Sequence, residues 1–178
     1  MIGDHVAIGR LGAPKGVRGD LKVSSYSGES AHFYRLETVE LRPRPGTDRG
    51  GSPPRRLRVI RVEGEGPSLT LAFEGYATPE AARALTGLEL VVPREAASPL
   101  GPDEWYIDDL VGLSLVAEGK KLAVVVSVIE GGAEPWLEVR RVAGEGLSLV
   151  PFRKVFVGEV DLAAGTIELL APWLLEEG

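Results

Sequence analysis

Hydrophobic and polar positions alternate along much of this chain with a period of two, the spacing of a strand that buries one face. In the first half VAIGRLG, DLKVSSY, ETVELRP, RRLRVIRV and SLTLAFEGY read as strands, by alternation or by enrichment in β-branched residues. In the second half GLSLVAEG, KLAVVVSVIEG, PWLEVRRVAGEG, LSLVPF and TIELLAP read as five more, joined by tight glycine turns. Many short strands predict small barrels, which leave fewer open edges than a flat sheet. A helix is clear at residues 78–87, TPEAARALTG. Thr78 suits the N-cap, Pro79 the first helical position, Glu80 the positive end of the dipole and Gly87 the stop. Ala81, Ala84 and Leu85 are expected on its covered face, and SAHFYRL predicts one further helical turn. The expected fold is mainly β: two small β-barrel domains with one short helix at 78–87.

Residues 93–104, PREAASPLGPDE, have linker composition between two hydrophobic regions. They divide the chain into a first domain at 1–94, a linker at 95–102 and a second domain at 103–178. Charge changes sign at the same place. Residues 1–94 hold 14 Lys and Arg against 11 Asp and Glu, and residues 95–178 hold 6 against 15. A basic half suits phosphate and an acidic half suits a basic protein, whereas chance distribution of solvated charge is the bland alternative. The stretch RPRPGTDRGGSPPRR, 42–56, is too rich in Pro, Gly and Arg to pack and is expected to be a surface loop. RVEGEGPSL (61–69) and RVAGEGLSL (141–149) share seven of nine residues. Duplication of a domain and a common hairpin-turn solution both explain the match.

Cysteine is absent, so disulfides and thiolate metal sites find no residues here, and neither His5 nor His32, the only imidazoles, stands in a recognisable catalytic context for a nucleophilic triad. No cofactor or metal is expected. His32 reads as a surface or packing residue and His5 as a neighbour of the first strand. MIGDHVAIGRLG lacks the pattern of a signal peptide, and no apolar run approaches the ~18 residues of a spanning helix, so a cytoplasmic protein with no membrane partner is expected.

GRLGAPKGVRG, 9–19, has the glycines of a phosphate loop but lacks the Gly-Lys-Ser/Thr ending, and a strand follows it instead of a helix. It brings together Arg10, Lys15, Arg18 and Lys22, opposed only by Asp20. They read equally as a phosphate-contacting patch or as solvated cations around a tight turn. EWYIDDLVGL, 104–113, places Trp105 beside Tyr106 and Asp108 beside Asp109. On an extended segment the two rings point to opposite faces, so one of them is left outward. Adjacent carboxylates converge poorly on one substrate, and one Asp is expected to cap the segment before LVGL.

LGAPKGVRGDLKV (11–23), GYATPEAARALTGLEL (75–90), DEWYIDDLVGLSL (103–115) and LVPFRKVFVGEVDLAAGTIELLAPWLL (149–175) resemble, in order and spacing, the RimM family of ribosome maturation factors. The resemblance covers nearly the whole chain, and its most specific element is the aromatic pair followed by Asp-Leu-x-Gly, the opening of a PRC-barrel. It implies an N-terminal six-stranded barrel like those of translation factors and a C-terminal PRC-barrel. It also implies a non-enzymatic assembly factor that binds the immature small ribosomal subunit, contacts its head protein number nineteen, and promotes folding and processing of the small-subunit ribosomal RNA. The chain departs from the family pattern with Lys15-Gly16 where His-Gly is usual, Trp105 where Tyr is usual, and APWLLEE near the end. On this reading Trp105, Tyr106, Asp108 and Asp109 contact the partner protein and Arg10, Lys15, Arg18 and Lys22 the RNA. The competing arrangement packs both rings into the seam between the two domains. No small-molecule substrate is expected, and a PRC-barrel adaptor for a non-ribosomal or membrane-associated partner is the alternative.

Overall fold

The computed structural model describes residues 3–45, 47, 53–130 and 133–176. Much of the expected loop at 42–56 lies outside the described residues. Two compact units divide between Glu104 and Trp105.

The first unit is a closed barrel of β1 (His5–Lys15), β2 (Asp20–Ser25), β3 (Thr38–Arg42), β4 (Arg55–Glu63), β5 (Thr70–Phe73) and β6 (Glu89–Pro93), in the spatial order β1-β2-β5-β4-β3-β6. Every pairing is antiparallel. Strand β1 reaches both its neighbours through register shifts near Gly9 and between Leu11 and Pro14. These irregularities bend a strand and help a sheet close. The turn SAHFYRL forms a 3-10 helix at Ala31–Arg35 and buries His32 and Phe33. A Cβ at Gly9 would meet the Ser24 carbonyl oxygen at 2.7 Å and the buried Phe33 ring at 3.3 Å, so glycine there admits the close approach of β2 and of that ring.

The predicted helix begins as expected. The Thr78 hydroxyl accepts from the Ala81 amide at 3.2 Å, and α1 (Pro79–Ala82) follows with proline in its first turn. The buried face is different. Ala82 and Leu85 are buried, whereas Ala84 is exposed and Ala81 only half-buried. The reason is the change to a 3-10 turn at Arg83–Leu85. Three residues per turn bring positions i and i+3 into line, displacing the four-residue spacing assumed for an α-helix. Residues 95–102 group with the barrel unit, and the Ser98 hydroxyl donates to Glu29 Oε2 at 2.6 Å.

The second unit opens with α2 (Ile107–Leu110), then β7 (Ser114–Ala117), β8 (Lys120–Ile129), β9 (Trp136–Arg141), β10 (Leu147–Pro151), β11 (Val157–Asp161) and β12 (Thr166–Leu169). They form one six-stranded sheet in the order β10-β9-β8-β7-β12-β11, around a core that includes Leu115, Val125, Leu137, Val139 and Ile167. The β12–β7 pair is parallel. Strand β11 was not anticipated, because VGEVD buries Val157 alone. The repeated nonapeptides both sit where two antiparallel strands turn back, and Gly64 with Gly144, and Gly66 with Gly146, share positive φ. The sheets around them differ in order and in the parallel pair, so a common demand for left-handed backbone accounts for the match without duplication.

Candidate functional sites

The four expected cations fall on one hairpin, in unequal surroundings. Arg10 lies opposite Ser24 across the β1–β2 ladder, and Lys22 flanks Gly12 on the same sheet face. Lys15 ends β1, paired in register with Asp20. Arg10, Lys15 and Lys22 are exposed, and among the described residues they make no ion pair or side-chain hydrogen bond. Arg18 is different: its Nη2 lies 3.2 Å from Glu63 and its Nε 3.4 Å from Asp20. Asp20, the one acid in the stretch, is buried and held by Arg61 at 2.7 and 2.8 Å. The turn itself needs its glycines. Gly16 and Gly19 have φ of +72° and +78°, and a Cβ on Gly19 would collide with the Tyr76 carbonyl oxygen. Tight-turn geometry and exposed cations therefore coexist in one element.

A second arginine pair is built into the barrel wall. Glu89 is 1% exposed and accepts from the Tyr26 hydroxyl at 2.8 Å and from Arg42 at 3.2 and 3.3 Å. Glu89 also stands in register with Arg10 on its other side. A buried carboxylate held by such donors fixes the strand junction on which Arg10 rides.

In EWYIDDLVGL the two rings are only partly separated. Trp105 is half-buried, packs against the second unit's core and meets Phe152 edge-on at 5.7 Å. Tyr106 is half-buried as well and occupies the N-cap of α2. The expected aspartate cap is therefore corrected: neither carboxylate stands at the cap, and both lie in the first turn, where acidic groups complement the helix dipole. Asp109 is buried, its amide donating to the Tyr106 carbonyl at 3.0 Å, while Asp108 stays half-buried. An aromatic outside the expected quartet is more open: Trp173, at 61% exposure, in the 3-10 turn Pro172–Leu175. Its signal in the sequence was the APWLLEE departure from the family pattern.

Among the described residues no cluster of His, Cys, Asp and Glu could hold a metal ion, and no helix is long and apolar enough to cross a membrane. His5 is exposed at the start of β1. His32 is a packing residue, 4.3 Å from the Phe33 ring, with neither ring nitrogen hydrogen-bonded. Burial pushes its pKa below the usual value; Glu29 opposes that shift and Arg35 reinforces it.

Residues 6–97 match the RimM N-terminal domain and residues 107–175 the RimM PRC barrel domain. The chain belongs to the RimM family. Ribosome maturation factor RimM of Treponema denticola is 36% identical over 184 residues, covering 97% of this chain and 99% of its own. The RimM of Treponema pallidum is 40% identical over 172 residues, covering 94% and 98%. A solved RimM structure from Pseudomonas aeruginosa is similar over 93% of this chain and 96% of its own, at 28% identity and a TM-score of 0.44. Ribosome maturation is thus the work of the family, and a closed six-stranded barrel followed by a PRC-barrel domain is the framework in which these RimM-family residues stand.

Proposed function

We propose that this protein binds the immature small ribosomal subunit through two surfaces of opposite charge and assists assembly of the subunit head and processing of its RNA. The barrel contacts RNA phosphates with Arg10, Lys15 and Lys22, and Arg18 contributes less. The observation that carries this part is that three exposed cations share one hairpin and have no ion-pair partner among the described residues. The acidic second domain receives the basic head protein number nineteen. Tyr106 and Asp108, both half-buried, offer surface, Trp105 offers the part of its half-buried ring not packed on the domain's core, and Asp109 is buried. No bond is made or broken by the protein, and it works in the cytoplasm. The barrel and the acidic domain act on the same particle, so binding at one site raises the effective concentration at the other.

The test is sedimentation of the tagged protein with cell extract at low ionic strength. Co-migration with free and precursor small subunits is expected. A ribosome-free or membrane-bound pool would overturn the reading in favour of an adaptor role.

A further inference from the structure

We propose that the turn around Trp173 is the anchor with which the second domain docks a cationic protein surface, a site that rests on the reading of this domain as the binder of a basic ribosomal protein. Trp173 is 61% exposed, with exposed Val155 and Leu170 as further apolar surface in the neighbouring segments. The Phe156 ring meets the Trp173 ring edge-on at 6.5 Å, and the Phe156 carbonyl accepts from the Leu170 amide at 2.8 Å, which ties the three side chains to one corner of the sheet. Pro172 fixes the backbone immediately before the ring. A large aromatic held in place loses little conformational freedom on binding, which is why tryptophan is over-represented among residues that dominate interface energies.

The same turn walls a cavity of about 460 Å3 on which Leu122, Ala143, Pro172 and Leu175 present apolar surface, Glu176 a carboxylate, and Arg141 a guanidinium whose Nη2 donates to the Glu145 carbonyl at 3.1 Å. A projecting ring beside a lined hollow is the shape of a docking site, and the charge selects the occupant. Residues 105–178 hold 12 Asp and Glu against 6 Lys and Arg, and one of those bases, Arg153, is engaged by Glu134 at 2.8 Å. A partner surface with an apolar side chain among lysines or arginines suits the hollow and the domain's net excess of carboxylates. Trp105, by contrast, is packed into its own domain, so its loss is expected to change stability.

The decisive comparison uses the full chain and, as probe, the purified small-subunit head protein number nineteen, with calorimetric titration for affinity and thermal melting as the control for folding. Trp173→Ala is expected to melt as the unsubstituted protein does and to bind the probe about 30-fold more weakly. Trp173→Phe should recover most of that loss. If Trp173→Ala binds normally while Tyr106→Ala does not, the anchor is overturned and the protein-binding reading stands. If the unsubstituted chain does not bind the probe, both fall. If Trp173→Ala only dissolves a self-associated form and leaves probe binding unchanged, the surface joins copies of this chain and the proposal is likewise overturned.

Discussion

Replacing Arg10, Lys15 and Lys22 together with alanine isolates the electrostatic share of RNA binding, and the geometry fixes how large that share is. Each cation that neutralises a phosphate releases condensed counterions and contributes about 0.7 to 0.9 to the slope of log affinity against log salt. Three unpaired cations therefore account for a slope of about 2 to 3, which corresponds to roughly 20- to 40-fold in affinity between 50 and 200 mM salt. Arg18 is excluded from that sum by structure. It already has Glu63 at 3.2 Å and Asp20 at 3.4 Å, so a phosphate has to displace existing partners. Arg18→Ala alone is expected to leave the slope nearly unchanged and, because Arg18 is 58% exposed and Asp20 keeps Arg61, to cost under about 1 kcal/mol of stability. The assay is equilibrium binding to salt-washed precursor small subunits across a series of salt concentrations, with unfolding by urea alongside. A slope in the triple variant equal to that of the unsubstituted chain would refute the phosphate assignment. A slope change on Arg18→Ala as large as that on Arg10→Ala would refute the argument from ion pairing.

Two further outcomes concern the elements that hold the site. Gly19→Ala forces an L side chain into φ +78° and drives its Cβ against the Tyr76 carbonyl oxygen; a loss of about 2 kcal/mol or more is expected by urea denaturation, and a loss below half that value would mean the turn relaxes. The folded-state pKa of His32 is depressed below its unfolded value of 6.5, so burial of the neutral ring carries no proton penalty above that pH, and stability falls as pH drops below it toward the folded value. Urea midpoints measured between pH 7.5 and 5 should decline more steeply for the unsubstituted chain than for His32→Leu; equal slopes would show that the ring titrates freely in the folded state.

The alternation in ETVELRP and LSLVPF was enough to predict strands, because one-sided burial and a period of two leave the same trace in sequence. VGEVD leaves none: Gly158 and Glu159 interrupt the pattern and Val157 alone is buried, so β11 is not legible in the sequence. Caps are local and Thr78 was legible, yet the face that α1 buries was not, since the tightening after Ala82 depends on what the turn packs against. The pairs Arg61–Asp20 and Arg42–Glu89 join residues 41 and 47 positions apart, and nothing in either neighbourhood announces the other partner. Alternation states that Trp105 and Tyr106 point different ways but not which way is inward. Trp173 belongs to a turn without a period, and for such a residue exposure is a property of the folded chain alone.

Closing a barrel removes both ends of a sheet, and the first domain does so; the second finishes in β10 on one side and β11 on the other. An unsatisfied strand invites the backbone of another molecule. Strand β11 resists such addition with a bulge and with Glu159 and Asp161, whereas β10, LSLVP, offers exposed Leu147 and Leu149 and only a terminal proline in defence. At high concentration, any stacking of identical copies is expected to begin at β10. Mutual repulsion between carboxylate-rich surfaces opposes that stacking, so the acidity of this domain keeps siblings apart.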